Sequence, residues 1–185
     1  MNKLLAGLII GGFSMSAQAA LVYLEPLSAQ PSYEIGEVGA LDLKIDFTGT
    51  PTIGGGVDVF FDTVGLEFNS WNAAALGDAS FKRAPDVLTD QLNGIAFGDF
   101  TGLPQIATVG TLEFKVLQSG SWLINLEAND APAGPFYSST TFNQIQVTFN
   151  GTTINAASVV PVPGAVWLFG SAILGLARFK RQRKV

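Results

Sequence analysis

An all-β fold, two antiparallel sheets packed face to face as a sandwich, is what this sequence predicts, and three observations predict it. Apolar and polar residues alternate in short bursts from residue 21 to residue 158, the period of strands with one buried face. The bursts are separated by Gly, Pro, Asn and Asp, the residues that turn a chain. Sustained helical spacing is missing, and only 72–79 offers room for a short helix or turn. Eight or nine short strands with Gly-rich turns lead to a sandwich.

Taken in order, residues 1–19 read as a secretory signal peptide. Lys3 supplies a positive start, 4–13 an apolar stretch, and Ala17-Gln18-Ala19 a small-x-small site for signal peptidase, with the cut after Ala19. The apolar run is about half the length a membrane-spanning helix needs.

The domain expected at 20–158 opens with a strand at 21–25. At 41–47, Leu41, Leu43, Ile45 and Phe47 point one way while Asp42, Lys44 and Asp46 point the other. Gly54-Gly55-Gly56 is expected as a turn or bulge leading into a strand at 57–61. A phosphate-cradling loop does not fit there, because no Gly-Lys-Ser/Thr follows and the next element is a strand where a helix N-terminus is required. Further strands are expected at 66–71, 93–100 and 121–128. Leu112, Phe114 and Val116 alternate with Glu113 and Lys115, and Ile145, Val147 and Phe149 with Gln144, Gln146 and Thr148. Asn150-Gly151-Thr152 matches a glycosylation triplet but reads first as a hairpin turn.

At the C-terminal end, 159–185, come Val160-Pro161-Val162-Pro163, an apolar stretch to Ala177, and five positive charges between Arg178 and Lys184. The run 159–177 is just long enough to cross a bilayer as a helix, and the charges behind it would stay in the cytoplasm, leaving the domain outside. The series Val-Pro-x-Pro, then Ala165-x-Trp167-Leu168-Phe169-Gly170-Ser171 and a Leu/Gly-rich stretch, resembles the PEP-CTERM protein-sorting domain of Gram-negative bacteria in a proteobacterial variant. Val162 stands where the most typical member has Glu. The resemblance implies an exosortase that recognises the Pro motif and removes the helix. It also implies transient anchoring in the inner membrane through that helix, and a final place on the cell surface or in an extracellular, biofilm-type matrix.

The middle of the chain resembles cohesin domains and their β-sandwich relatives among carbohydrate-binding modules. The resemblance rests on an ordered series: Tyr33-Glu34-Ile35-Gly36-Glu37, the strand 41–47, the Gly-Gly-Val-Asp-Val-Phe-Phe-Asp segment, Leu66-Glu67-Phe68, the strand from Gly110 to Val116, and Gly120 to Leu126. It implies a jelly-roll sandwich of about nine strands that binds a partner through one exposed sheet face. That partner is a dockerin-like protein in the cohesin case and an exopolysaccharide in the other.

Composition narrows the chemistry. The chain has no His and no Cys, which removes the commonest general base, zinc ligation by imidazole or thiolate, and Ser-His or Cys-His nucleophiles. Carboxylates remain. Asp58 and Asp62 are the nearest to a pair, but four residues along a strand separate them by roughly 13 Å, too far for a glycosidase, and solvated outer-face acids are the expectation. Over 20–159 fifteen acids face only Lys44, Lys82, Arg83 and Lys115, a net −11 that repels nucleic acid. A binding protein, not an enzyme, is therefore expected, with no cofactor unless calcium. Asp42, Asp46 and Asp58 are candidates for an acidic face that meets a basic partner. Trp71 and Trp122 are candidates for stacking on sugar, although core packing accounts for them as well. Asp99, Asn129 and Asp130 are the weak candidates for calcium.

Overall fold

The computed structural model describes residues 20–29, 32–158, 169 and 171–172, so Ala17, Ala19 and the motif Val160 to Pro163 lie outside the described residues. Among the described residues eleven strands are present. They are β1 (Ala20–Pro26), β2 (Val38–Asp46), β3 (Thr52–Phe61), β4 (Leu66–Ala73), β5 (Asp86–Val87) and β6 (Gln91–Gly98). The rest are β7 (Ile106–Val116), β8 (Gly120–Ala128), β9 (Tyr137–Ser138), β10 (Val147–Asn150) and β11 (Thr152–Ala156). The eight strands expected from alternation are all here. The three additions are β11 and the two-residue β5 and β9, which are too short to show a period.

Two sheets form the sandwich. One is five-stranded in the order β10-β1-β2-β7-β4, the other six-stranded with the path β11-β8-β3-β6-β5 and β9 beside β3. Alternation decides which side of each strand is buried: Leu41, Leu43 and Ile45 of β2 and Leu112, Phe114 and Val116 of β7 are almost wholly enclosed. Phe61 meets Phe114 edge-on at 5.1 Å, and Phe136 stacks on Phe47 at 5.4 Å and meets Phe97 at 5.7 Å. With no disulfide in the chain, these apolar side chains, each worth roughly 1.5–3 kcal/mol on full burial, hold the two sheets together.

Four expectations need correction. The sheets are not purely antiparallel, because β1 pairs with β10 in parallel from Ala20↔Val147 to Tyr23↔Asn150. Asn150-Gly151-Thr152 is not a hairpin: β10 lies in the first sheet and β11 in the second, so the chain crosses between sheets at Gly151. A Cβ there would lie 2.1 Å from the Ile124 carbonyl oxygen. Gly54-Gly55-Gly56 is no turn but part of β3, where the expected bulge is a register shift between Thr52 and Gly54 with Gly54 at φ 121°, and neighbours press on the triplet from both sides. A Cβ on Gly55 would meet the Phe136 ring at 2.7 Å, and one on Gly56 the Ala133 Cβ at 2.2 Å. Lastly, of the region 72–79, Asn72 and Ala73 belong to β4, and the short helix expected there is a 3-10 turn that starts only at its end, Ala79–Phe81, capped by the Asp78 carboxylate on the Ser80 N–H at 2.7 Å. Among the described residues no helix is long and apolar enough to cross a membrane.

Candidate functional site

The outer face of the five-stranded sheet carries Asp42 and Asp46 on β2, with Lys44 between them. Their oxygens are engaged within the sheet. Asp42 accepts a hydrogen bond from the Thr111 hydroxyl at 2.7 Å, directly across the strand pair, and Asp46 accepts the Thr48 N–H at 3.0 Å. Thr48 donates to the charged form and holds the Asp46 carboxyl below the usual carboxylate range. Lys44 pairs with Glu25 on β1, and that bond raises the ammonium's pKa. Alternation and cross-strand register thus turn the acids of this face into a network of self-satisfied pairs.

Asp58 belongs to the other sheet, and it is not a solvated face residue. It is only 9% exposed, and its Oδ1 accepts the Gly94 N–H and the Asn129 side-chain amide, each at 2.8 Å. The cover comes from a loop far along the chain. Gly56 donates to the Gly134 carbonyl and accepts from the Asn129 N–H, so residues 129–134 are pinned at both ends to one residue of β3. Ala133 sits on Gly56 and Pro132 on Gly94. Asn129 is itself buried, and its Oδ1 accepts the Ala133 N–H at 2.7 Å. Asp62 lies past the end of β3, where it accepts the Val64 N–H at 2.8 Å in a turn.

The two tryptophans point inward. Trp122 shares the side of β8 that holds Ile124 and Leu126, donates its indole N–H to the Gln118 carbonyl at 2.9 Å, and lays its ring on Gly65, where a Cβ would be 1.9 Å away. Trp71 faces Leu112 across β4 and β7 and lies over Gly110. Both are partly buried against the core. Asp99 accepts the Thr101 N–H and hydroxyl within its own loop, and among the described residues no three acidic side chains gather where they could hold a metal ion.

What the structure brings together instead is two residues of the glycine triplet with aromatic side chains that alternation does not mark. A cleft of about 170 Å³ opens on the outer face of the six-stranded sheet, floored by Gly54, Gly55, Ala96 and Gly98. Phe81 and Phe100 form one wall, meeting edge-on at 4.5 Å, and Pro135 and Tyr137 form the other. Phe100 is 70% exposed and Tyr137 40%, an outward display of apolar surface. The signal was present in the glycine triplet and in Asp99-Phe100-Thr101-Gly102, a turn sequence with an aromatic at its tip, but neither has meaning until the chain folds. The cleft offers apolar walls and backbone polar groups. It is equipped for binding, and no carboxylate lines it.

The backbone superposes on a set of solved structures. The fold is the cohesin fold. The seventh ScaB type I cohesin of Pseudobacteroides cellulosolvens superposes with a TM-score of 0.59 at 12% identity, covering 78% of this chain and 96% of that one. The sixth cohesin of scaffoldin B from Acetivibrio cellulolyticus, solved in complex with a dockerin, gives 0.54 at 14%, covering 76% and 100%. A non-cellulosomal cohesin of the archaeon Archaeoglobus fulgidus gives 0.55 at 15%, covering 76% and 93%. No protein-family model matches the chain, and no curated protein matches it. What the cohesin fold shares with this chain is architecture.

Proposed function

We propose that this chain is an exported cell-surface or matrix protein whose cohesin-fold sandwich binds a dockerin-like protein partner through the outer face of the six-stranded sheet, around Phe81, Phe100 and Tyr137. The exposed aromatic cleft is the observation that carries this reading, because rings held outward over a small-residue floor form a ready anchor pocket. Solved cohesin-fold structures include dockerin complexes, which supports a protein partner. Binding without turnover is supported by the missing His and Cys and by carboxylates committed to structural bonds.

Export and sorting belong to the same proposal. Signal peptidase would cut after Ala19, and β1 begins at Ala20, so the cut leaves the sandwich intact. An exosortase would act at Val160 to Pro163, past the last strand, which ends at Ala156. The inner membrane would hold the protein through 159–177 until then.

The test is capture from the organism's secretome with residues 20–158, comparing wild type with Phe100→Ala and with Asp42→Asn/Asp46→Asn. Loss of the captured protein with Phe100→Ala alone, at unchanged melting temperature, is expected. Retention in Phe100→Ala and loss in the double variant would move the site to the acidic face. A polysaccharide partner is the second reading, favoured by the aromatic cleft and the hydroxyl-rich Ser138 to Thr141 beside it. Binding that free sugar displaces and that salt leaves unchanged would establish it in place of a protein partner.

A further inference from the structure

Four strands end the two sheets: β10 and β4 in one, β11 and β5 in the other. Sheets avoid pairing edge to edge through short strands, bulges, charges or cover. β5 is two residues long and carries Asp86, which pairs with Arg83. β4 is broken by a bulge between Phe68 and Ser70 and bears an exposed Glu67. β11 is met on its free side by Tyr33, which bridges Ala156 and exchanges backbone bonds with Asn155 and Ala157. Among the described residues β10 has neither bulge, charge nor cover. Its one partner strand among the described residues is β1, and the apolar side chains it turns inward, Val147 and Phe149, remain only half-buried.

Charge adds an independent argument. The last acid of the chain is Asp130 and the next charged residue is Arg178, so β9, β10 and β11 carry none of the Asp, Glu, Lys or Arg of the chain. Two copies, each −11 over 20–159, repel one another across their acidic faces and can approach most closely where those charges are absent. That region contains the unguarded edge.

We propose that β10 is a self-association edge: two copies pair β10 with β10 antiparallel about a twofold axis, which joins their five-stranded sheets into one of ten strands. The occupant is a second copy of this chain because an isologous contact needs only a surface complementary to itself, and an uncharged strand of Thr and Asn alternating with Val and Phe, with Gln146 just before it, meets that condition. The new strand would also cover Val147 and Phe149.

Residues 20–158 suffice for the test, since among the described residues every buried core residue lies between Ala20 and Ala156. Sedimentation velocity across a concentration series is expected to show a monomer–dimer equilibrium that tightens as salt shortens the Debye length from about 10 Å at 0.1 M to about 3 Å at 1 M. Amides of Val147–Asn150 should gain hydrogen-exchange protection with concentration. Gln146→Lys/Thr148→Lys, both exposed sites, should weaken the dimer by at least about tenfold. Asn125→Lys/Glu127→Gln makes the same change of net charge on the outer face of β8 and should not weaken it. A wild type that stays monomeric at high salt, a dimer that leaves 147–150 unprotected, or one that both double variants weaken alike overturns the proposal.

Discussion

At Gly65 the absence of a side chain seats a tryptophan. The Trp122 ring occupies the space a Cβ would fill, so Gly65→Ala should unseat it and break the bond from the indole N–H to the Gln118 carbonyl. Overpacking of this kind costs about 1–3 kcal/mol, and a lower melting temperature with red-shifted indole fluorescence is the expected result. Asp58→Ala should cost a similar amount, about 1–3 kcal/mol in chemical denaturation, because it leaves the Gly94 N–H and the Asn129 amide without their acceptor. Residues were legible in the sequence only as far as their own strand determined them. Period two placed Asp58 on the outer side of β3 correctly, yet its burial depends on a loop some seventy positions on, which no local pattern encodes. Trp122 keeps step with Ile124 and Leu126, whereas Trp71 turns inward only because of the bulge between Phe68 and Ser70, and the prominence of Phe100 depends on where loops meet.

Strands whose two faces differ were the most readable elements. β2 and β7 lie where alternation put them, and their difference between faces is testable one residue apart. Phe114→Asp should unfold the domain, because an unpaired buried carboxylate costs several kcal/mol against a total of about 5–15. Lys115→Asp, on the exposed side of the same strand, should melt within a few degrees of wild type. Elements whose identity depends on neighbours were not readable. The glycine triplet has the composition of a turn, and it is a strand because Phe136 and Ala133 press on its two sides. The crossing at Gly151 has the composition of a hairpin, but β1 and β8, from opposite sheets, take the two halves as partners.

For the whole molecule, acid should be destabilising. Asp46 and Asp78 both have carboxyls held below their ordinary range, in each case by hydrogen bonds, so folding favours their ionised forms. The stability they contribute is complete above the unfolded value of about 3.9 and is lost as pH falls through the lower folded values. Melting temperature should therefore drop on acidification through this range, and Asp46→Asn/Asp78→Asn should flatten the slope. Intact mass of the mature extracellular protein checks the processing proposal, with an N-terminus at Ala20 and nothing retained beyond the Pro161 to Pro163 region. A mass that includes Arg178 to Lys184 would leave a permanent anchor in its place.

The parallel pair of β1 with β10 also sets a timetable. A chain threaded through a membrane amino end first delivers β1 early, yet its neighbour on one side is among the last segments to emerge. β2 can zip onto β1 at once, but β3 must wait for β6 and β8, and β7 must arrive before β2 is enclosed. Such distant pairings slow folding. Until the final strands appear, the half-built sheets present open edges and an uncovered core to whatever is nearby.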